Sequence, residues 1–404
     1  MKNRENNLFL QGEQASTMYS ACYESACEKL RKDHKYRILP DSKQLSEKSK
    51  WDFASNDYLG LSKDASVLKA AYEAALAYGV GATGSRLLSG NPPLFEELEN
   101  TIAQDKQTES ALIFNSGYQA NLSVLATLTN QDILGHTPLL LFDKLNHASL
   151  YQAALLSGAE LKRYPHLDMN RLEHLLKTHR TQTPNRAIFV VSETVFGMDG
   201  DIAPLSNLID LCHQYSAFLY LDEAHATGLF GKKGYGLSTN FDLKHIEHVI
   251  MGTFSKAIGC SGAYIACSQT TKSYLTNYCS GFIYSTALSP MVIGAVNQAW
   301  KMIPDLTALR QQLFKQADLI RSQLQKEQID TGKSTTHILP ILLKEESVVM
   351  ASQKKLHAQG VLVSAIRPPT VPPKTARLRI AINKHHLDLD VDELVSVLIA
   401  CIKT

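Results

Sequence analysis

An α/β domain built around a mostly parallel sheet, followed by a smaller α+β domain, is the fold class that this sequence predicts. Three observations predict it. Short apolar runs recur through the middle of the chain: ALIF at 111–114, PLLLF at 138–142, AIFVV at 187–191, AFLYL at 217–221, HVIM at 248–251 and AYIA at 263–266. None alternates strictly between apolar and polar, as expected of strands buried on both faces. Between several of them lie stretches with apolar residues three and four apart, such as Leu172–Thr178 and Leu205–Tyr215. Strand, helix and strand in this rhythm build a parallel sheet with crossover helices. After Pro290 the pattern changes to a long helical region reaching about Glu327. Two alternating, strand-like runs follow, HILPILL at 337–343 and ARLRIAI at 376–382, and then a helical tail from Val391 to Ile402.

These shifts divide the chain into an N-terminal segment (1–61), a large α/β domain (62–290) and a small C-terminal α+β domain (291–404). Residues 1–50 are polar, with a helix-like stretch from Tyr19 to Lys32 that ends before Pro40.

Composition bounds the function. Of 404 residues, 41 are Lys or Arg and 39 are Asp or Glu, a formal charge of +2 that argues against a dedicated nucleic-acid binder. With 44% hydrophobic and 20% charged residues the chain can build a sizeable core. Its seven cysteines are irregularly spaced and form no CxxC pair, so a disulfide framework or a zinc site is not expected. The opening MKNRENNLFLQGEQAS has no apolar core of a secretory signal, and no apolar run approaches the ~20 residues that span a bilayer. The expectation is a cytoplasmic protein with no metal, no membrane and no nucleic-acid partner.

Chemistry concentrates in two neighbouring passages, AFLYLDEAHATGLFG at 217–231 and VIMGTFSKAIG at 249–259. The first strand delivers Asp222 to its carboxyl end, with His225 three residues on. The second delivers Thr253, Ser255 and Lys256 to the same end, where open α/β sheets place their ligands. A carboxylate and an amine facing one crevice suit pyridoxal phosphate: the amine forms a Schiff base with the aldehyde, and the carboxylate pairs with the protonated pyridine nitrogen. An ion pair at a sheet edge is the alternative for these two residues taken alone. SGYQAN at 116–121 sits between a strand and a helix, where backbone N–H groups favour a phosphate, although a Ser-Gly pair by itself is usually a turn. His147, in NHAS after PLLLF, could lie over a cofactor ring. Arg367, Arg377 and Arg379 flank a Pro-rich turn. Arg377 and Arg379, two apart, share one strand face and could hold a carboxylate or form a solvated basic face.

The ordered set of motifs resembles the α-oxoamine synthases, a branch of the fold-type I pyridoxal-phosphate-dependent transferases. The motifs are DFASNDYLGLS at 52–62, GVGATGSRLLSG at 79–90, SGYQAN, LNHASL at 145–150, ETVFGMDGDIAPL at 193–205, LDEAHATGLFG, GTFSKAIG, FIYSTALSP at 282–290 and AIRPPTVP leading to ARLRI. The resemblance implies a seven-stranded type of sheet in the large domain. It implies that Lys256 carries the cofactor, that Asp222 holds the pyridine nitrogen, that His225 bonds the phenolic oxygen and that His147 stacks on the ring. Ser116, Gly117, Tyr118, Gly197, Thr253 and Ser255 fall at cofactor-binding positions. Ser285 and Thr286 would reach the phosphate of a neighbouring subunit in a homodimer with shared sites. Arg379 would grip the amino-acid carboxylate, and Arg37, Asn56, Arg367 and Thr370 fall at substrate-contacting positions.

The RPPTVP turn followed by ARLR points to the branch that joins L-alanine to an acyl-CoA, pimeloyl-CoA in particular, with loss of carbon dioxide. Sister synthases using other amino acids and thioesters stay open, because a pocket distinguishes one methylene by only ~1–3 kcal/mol. The chain departs from the family pattern at Gly197, where many relatives have a serine that touches the cofactor, and at Phe95, where histidine is frequent and a packing change is expected.

Overall fold

The computed structural model describes residues 18–33, 35–39 and 49–403. The opening MKNRENNLFLQGEQAS, read above as lacking a secretory signal, lies outside the described residues. A helix covers residues 18–32, and residues 35–39 have no regular secondary structure. Among the described residues twelve strands then follow in chain order: β1 (Trp51–Asp52), β2 (Ser110–Phe114), β3 (Leu139–Asp143), β4 (Glu160–Tyr164), β5 (Ile188–Glu193), β6 (Phe218–Asp222), β7 (His248–Thr253), β8 (Ala263–Cys267), β9 (Ile338–Lys344), β10 (Val361–Leu362), β11 (Ser364–Ile366) and β12 (Ala376–Ala381).

Seven of these form one sheet in the order β2-β8-β7-β6-β5-β3-β4. Strands β4, β3, β5, β6 and β7 run parallel, and β8 lies antiparallel between β7 and β2. The apolar runs mark six of the seven. The seventh, β4, reads ELKRY; it is one of two edge strands and alternates between half-buried and exposed before ending at buried Tyr164, whereas β2 at the other edge is buried throughout. An exposed edge strand tolerates charge where a covered one carries Leu or Val, so apolar content alone misses β4.

The central strands pack on both faces. Leu139, Leu141, Val190, Leu219, Leu221 and Ile250 join one core, while Leu140, Phe142, Val191, Tyr220, Val249 and Met251 join another on the opposite face. Successive residues of a strand point to opposite sides, so two covering layers demand an unbroken apolar run. Fully burying each such side chain contributes about 1.5–3 kcal/mol. The helices Gly117–Leu128, Ala148–Ser157 and Leu205–Gln214 follow the sheet strands, and the last presents Leu205, Leu208 and Leu211 to the core at helical spacing.

Downstream, the helices Pro290–Met302 and Thr307–Lys326 lead to an antiparallel sheet of order β11-β12-β9. The alternating runs at 337–343 and 376–382 are its strands β9 and β12, and the tail is the helix Val391–Ile402. The segment after β1 ties these parts together. β1 pairs with β10 in parallel, Ala381 N–H donates to the Phe53 carbonyl at 3.0 Å, and Lys384 N–H donates to the Tyr58 carbonyl at 2.9 Å. Asn56 and Tyr58 are thereby held against β12 and its Arg379. Among the described residues no helix is long and apolar enough to cross a membrane.

Candidate active site

The carboxyl ends of β5, β6 and β7 meet at one place. Parallel pairing sets Glu193 beside Asp222 and Asp222 beside Met251, two residues before Thr253. Asp222 is buried. Its Oδ1 accepts the Ala224 N–H at 2.8 Å and its Oδ2 accepts from Asn121 Nδ2 at 2.7 Å. The loop after β6 carries His225, also buried, whose Nδ1 lies 2.8 Å from the Tyr58 hydroxyl and whose Nε2 lies 2.8 Å from Lys256 Nζ. Gly231 lets this loop turn back: its φ is +78°, and a side chain there would run into the Gly236 backbone. Below it, a buried Lys106–Glu223 ion pair, shared with Ser238, pins the residue next to Asp222.

Electrostatics favour a reactive amine. Burial lowers the Lys256 pKa to about 8, with Asp222 and Glu193 opposing and Arg379 reinforcing the shift. Burial, together with the positive charges of Lys256 and Arg379, holds His225 well below the usual histidine range, so its ring is neutral. Glu193 is pushed well above the carboxylate range by burial and by Asp222 beside it, and its carboxyl takes backbone N–H groups from Gly197 and His147. His147 is exposed, and the pKa of its side chain is lowered by desolvation and by Lys256 against the pull of Asp222.

The helix Gly117–Leu128 starts beside β7. Ser116 caps it by accepting the Gln119 N–H, and the Gly117 α-carbon faces Thr253. Thr253 Oγ1 lies 2.8 Å from Ser255 Oγ. A helix start with free backbone donors and three hydroxyl groups suits a phosphate. Tyr118 is half-exposed at its rim.

The arginines are not a solvated face. Arg377 and Arg379 are 4% and 3% exposed, although β12 reads as a half-polar strand. Arg377 pairs with Asp199. Arg379 Nε donates to the Gly197 carbonyl at 2.6 Å, and its Nη2 donates to Asn56 Oδ1 at 3.1 Å and to the Tyr58 hydroxyl at 3.3 Å. Gly197 is where the side chain is missed least: a methyl there would lie 2.7 and 2.9 Å from His225 Cδ2 and Cε1. The space that a serine would occupy is taken by the His225 ring. Phe95, the other departure, is buried under the Arg86 guanidinium, 4.0 Å from its ring centre.

Lys256, Asp222, His225, Gly197, Asn56 and Arg379 thus share one connected cluster, with His147 coupled to it electrostatically and Ser116, Gly117, Thr253 and Ser255 alongside. Arg37, Arg367 and Thr370 form a second group. Arg37 Nη2 lies 3.5 Å from Thr370 Oγ1, and the Arg37 charge bears on Arg367. Ser285 and Thr286 lie at the surface beside Asn115, whose Nδ2 donates to Ser285 Oγ at 2.9 Å and to the Thr286 carbonyl at 2.6 Å. Sequence reasoning missed Tyr58, Glu193, Asn121 and Ser149. Glu193 ends its strand as Asp222 ends the next, and the strand-end argument applied to Asp222 would have found it.

A buried carboxylate opposite a lysine of lowered pKa, with a helix start for a phosphate, is the donor set that pyridoxal phosphate requires. Fold and site together define a fold-type I pyridoxal-phosphate transferase. The chain belongs to the aminotransferase class I and II family, which it matches over residues 48–398, and within it to the α-oxoamine synthases. It is 44% identical over 352 residues to a protein of Paramagnetospirillum magneticum, covering 87% of this chain and 88% of the relative. A Magnetococcus marinus protein is 41% identical over 367 residues, 91% of each chain. Both relatives bear the name 8-amino-7-oxononanoate synthase as a provisional assignment. Among solved structures, serine palmitoyltransferase of Sphingomonas wittichii superposes with a TM-score of 0.80 at 26% identity over 86% of each chain. The 8-amino-7-oxononanoate synthase of Francisella tularensis superposes at 0.73 and 25%, over 87% of this chain and 96% of the other.

Proposed function

We propose that this protein condenses L-alanine with pimeloyl-CoA, or another pimeloyl thioester, releasing CoA and carbon dioxide and forming 8-amino-7-oxononanoate for biotin synthesis. The observation that carries the reading is the cluster in which Lys256 Nζ touches His225 beside Asp222 while Arg379 and Asn56 face the same space. The names of the relatives agree with the product.

In this reading Lys256 holds the aldehyde of pyridoxal phosphate, Asp222 the ring nitrogen and His225 the phenolic oxygen. Ser116, Gly117, Thr253 and Ser255 hold the phosphate. When bound, the cofactor supplies an electron sink for charge developing at the amino acid's α-carbon. Arg379 and Asn56 fix the alanine carboxylate, which fixes the direction of the α-proton. Lys256, whose pKa lowered to about 8 leaves a usable neutral fraction near physiological pH, takes that proton as a general base. His147 donates a hydrogen bond toward the substrate, and the protonated Lys256 returns a proton after carbon dioxide has left. Arg37 and Arg367 suit the anionic end of the thioester. The active unit is a homodimer in which Ser285 and Thr286 complete the partner's phosphate site, a role supported by the exposed stretch around Tyr284.

The test is thiol release with paired substrates. L-alanine with pimeloyl-CoA should liberate CoA stoichiometrically with 8-amino-7-oxononanoate, identified by mass, and Lys256→Ala should abolish it. Turnover of serine with palmitoyl-CoA, or of glycine with a short thioester, in preference to alanine would move the protein to a sister synthase. Pyruvate formed from alanine without CoA would make it a plain aminotransferase. Mixing Lys256→Ala protein with Ser285→Ala/Thr286→Ala protein should restore activity if the sites are shared.

A further inference from the structure

His147 opens the helix Ala148–Ser157, and its own side chain caps that helix by accepting the Ser149 backbone N–H at Nδ1, 3.2 Å away. A backbone amide can only donate, so Nδ1 carries no proton. The Ser149 hydroxyl oxygen lies 2.7 Å from the same nitrogen and must therefore donate its hydrogen there.

What makes Ser149 donate is Asn121. Ser149 is fully buried, and its Oγ accepts from Asn121 Nδ2 at 3.0 Å. Asn121 is 1% exposed and donates through the same nitrogen to Asp222 Oδ2 at 2.7 Å, while its Oδ1 accepts from the Tyr220 hydroxyl at 2.9 Å. The reverse orientation of the amide would set two oxygens 2.7 Å apart and leave the Tyr220 hydroxyl facing a donor group. Every polar atom of Asn121 is thus committed, and the amide has one orientation. The hydrogen bonds run in one sense, from Tyr220 to Asn121, then from Asn121 to Asp222 on one side and through Ser149 to His147 on the other.

We propose that Asn121 and Ser149 are positioning residues that lock His147 in the neutral tautomer protonated at Nε2, so that it presents an N–H donor to the substrate side of the cleft. No described residue bonds to that Nε2. An imidazolium would need a hydrogen on Nδ1, which would face both the capping amide and the serine hydroxyl. The network therefore opposes protonation of His147 as well as fixing its tautomer, in keeping with the lowered pKa of this side chain. The titratable groups facing His147 are Asp222, Lys256 and His225, and the Glu193 carboxyl takes its backbone N–H. Because Asn121 also holds the Asp222 carboxylate, one amide sets two groups against each other: the partner of the ring nitrogen and the donor above the cleft. The chemical use of that donor, hydrogen-bonding a substrate oxygen on which charge develops, rests on the reading given under Proposed function.

The experiment is 15N–1H correlation of histidine-labelled protein without cofactor, with the His147 signals assigned from a His147→Gln variant. The expected result is a proton on Nε2 and an Nδ1 shift typical of a hydrogen-bonded acceptor, unchanged from pH 6 to 8. Ser149→Ala removes the 2.7 Å hydroxyl bond and leaves only the longer 3.2 Å one from the capping amide, so it should raise the fraction protonated at Nδ1 and move the titration midpoint up toward 6.5, the ordinary histidine value. Ser149→Thr, which keeps the hydroxyl, should restore the wild-type pattern. A wild-type His147 protonated at Nδ1, or a tautomer indifferent to Ser149→Ala in a folded protein, would overturn the proposal, and the wild-type measurement stands even where the variant fails to fold. With alanine and pimeloyl-CoA, Ser149→Ala should lose about 10–100-fold in kcat with little change in either KM. An equal rise in KM with kcat intact would overturn the positioning role. If no thioester is turned over at all, the synthase reading fails while the tautomer measurement still decides the proposal.

Discussion

His225 places its Nε2 2.8 Å from Lys256 Nζ, and it can do so because residue 197 has no side chain. The ring fills the volume that a β-carbon would occupy, with Tyr58 holding its far nitrogen. Gly197→Ala and Gly197→Ser should both destabilise the cofactor-free protein by about 1–3 kcal/mol, the usual cost of overpacking a filled site. Denaturant unfolding of both variants checks this. Alanine is the informative one, since it adds bulk and no hydrogen bond. An alanine variant as stable as the parent would mean that the ring does not depend on this space.

The Lys256 amine should show its lowered pKa in cofactor capture. With a pKa of about 8, about a tenth of the amines are neutral at pH 7, against fewer than about one in a thousand for an ordinary lysine at 10.4. Only the neutral amine is a nucleophile. The rate at which cofactor-free protein takes up pyridoxal phosphate should therefore rise with pH and level off above about 8. Stopped-flow absorbance from pH 6 to 10 measures it. A rate still climbing at pH 10 would show that burial leaves this amine unperturbed.

His166 gives the fold a pH dependence of its own. It lies between Asp143 and Asp201, 2.8 Å from each. Burial alone would lower its pKa, but the hydrogen bonds to both carboxylates raise it to about 9. In the unfolded chain the value returns to about 6.5. The folded state thus holds the proton more tightly, and the stabilisation is complete below about pH 6.5 and lost as pH rises through 9. The shift corresponds to about 3 kcal/mol. The stability gap between wild type and His166→Gln should be largest near pH 6 and smaller by about that amount at pH 10. A gap independent of pH would mean that His166 has the same pKa in the folded and unfolded chain.

Arg379 spends Nε on the Gly197 carbonyl and Nη2 on Asn56 and Tyr58, so its fork is oriented before any substrate arrives. Arg379→Ala should raise the alanine KM about 10–100-fold and leave that of the thioester nearly unchanged. Arg379→Lys should recover little, since an ammonium cannot satisfy the Gly197 carbonyl and the Asn56 amide at once. An unaltered alanine KM in steady-state assays would assign the carboxylate to another group, with Arg377 held away by its pairing to Asp199.

Local pattern carried much of this protein. The apolar runs defined six strands because central strands covered on both faces tolerate little else, and their ends delivered Asp222 and Lys256 to one edge of the sheet. The ordered motifs pointed to the family, in agreement with its relatives and with the folds of its structural neighbours. What the tertiary structure decided were relations between distant segments. Strand β4 is charged and half-exposed at one edge of the sheet while β2 at the other edge is apolar and buried, and only the strand order shows that both are edges. Arg377 and Arg379 read equally as a solvated face until packing buried them against the turn at residues 197–199. Tyr58, Asn121 and Ser149 are ordinary polar residues in sequence, and they acquire a role only when 167 residues of separation close between Tyr58 and His225, or 101 between Asn121 and Asp222. Hydrogen-bond direction depends on which donors and acceptors meet, and only the folded chain brings them together.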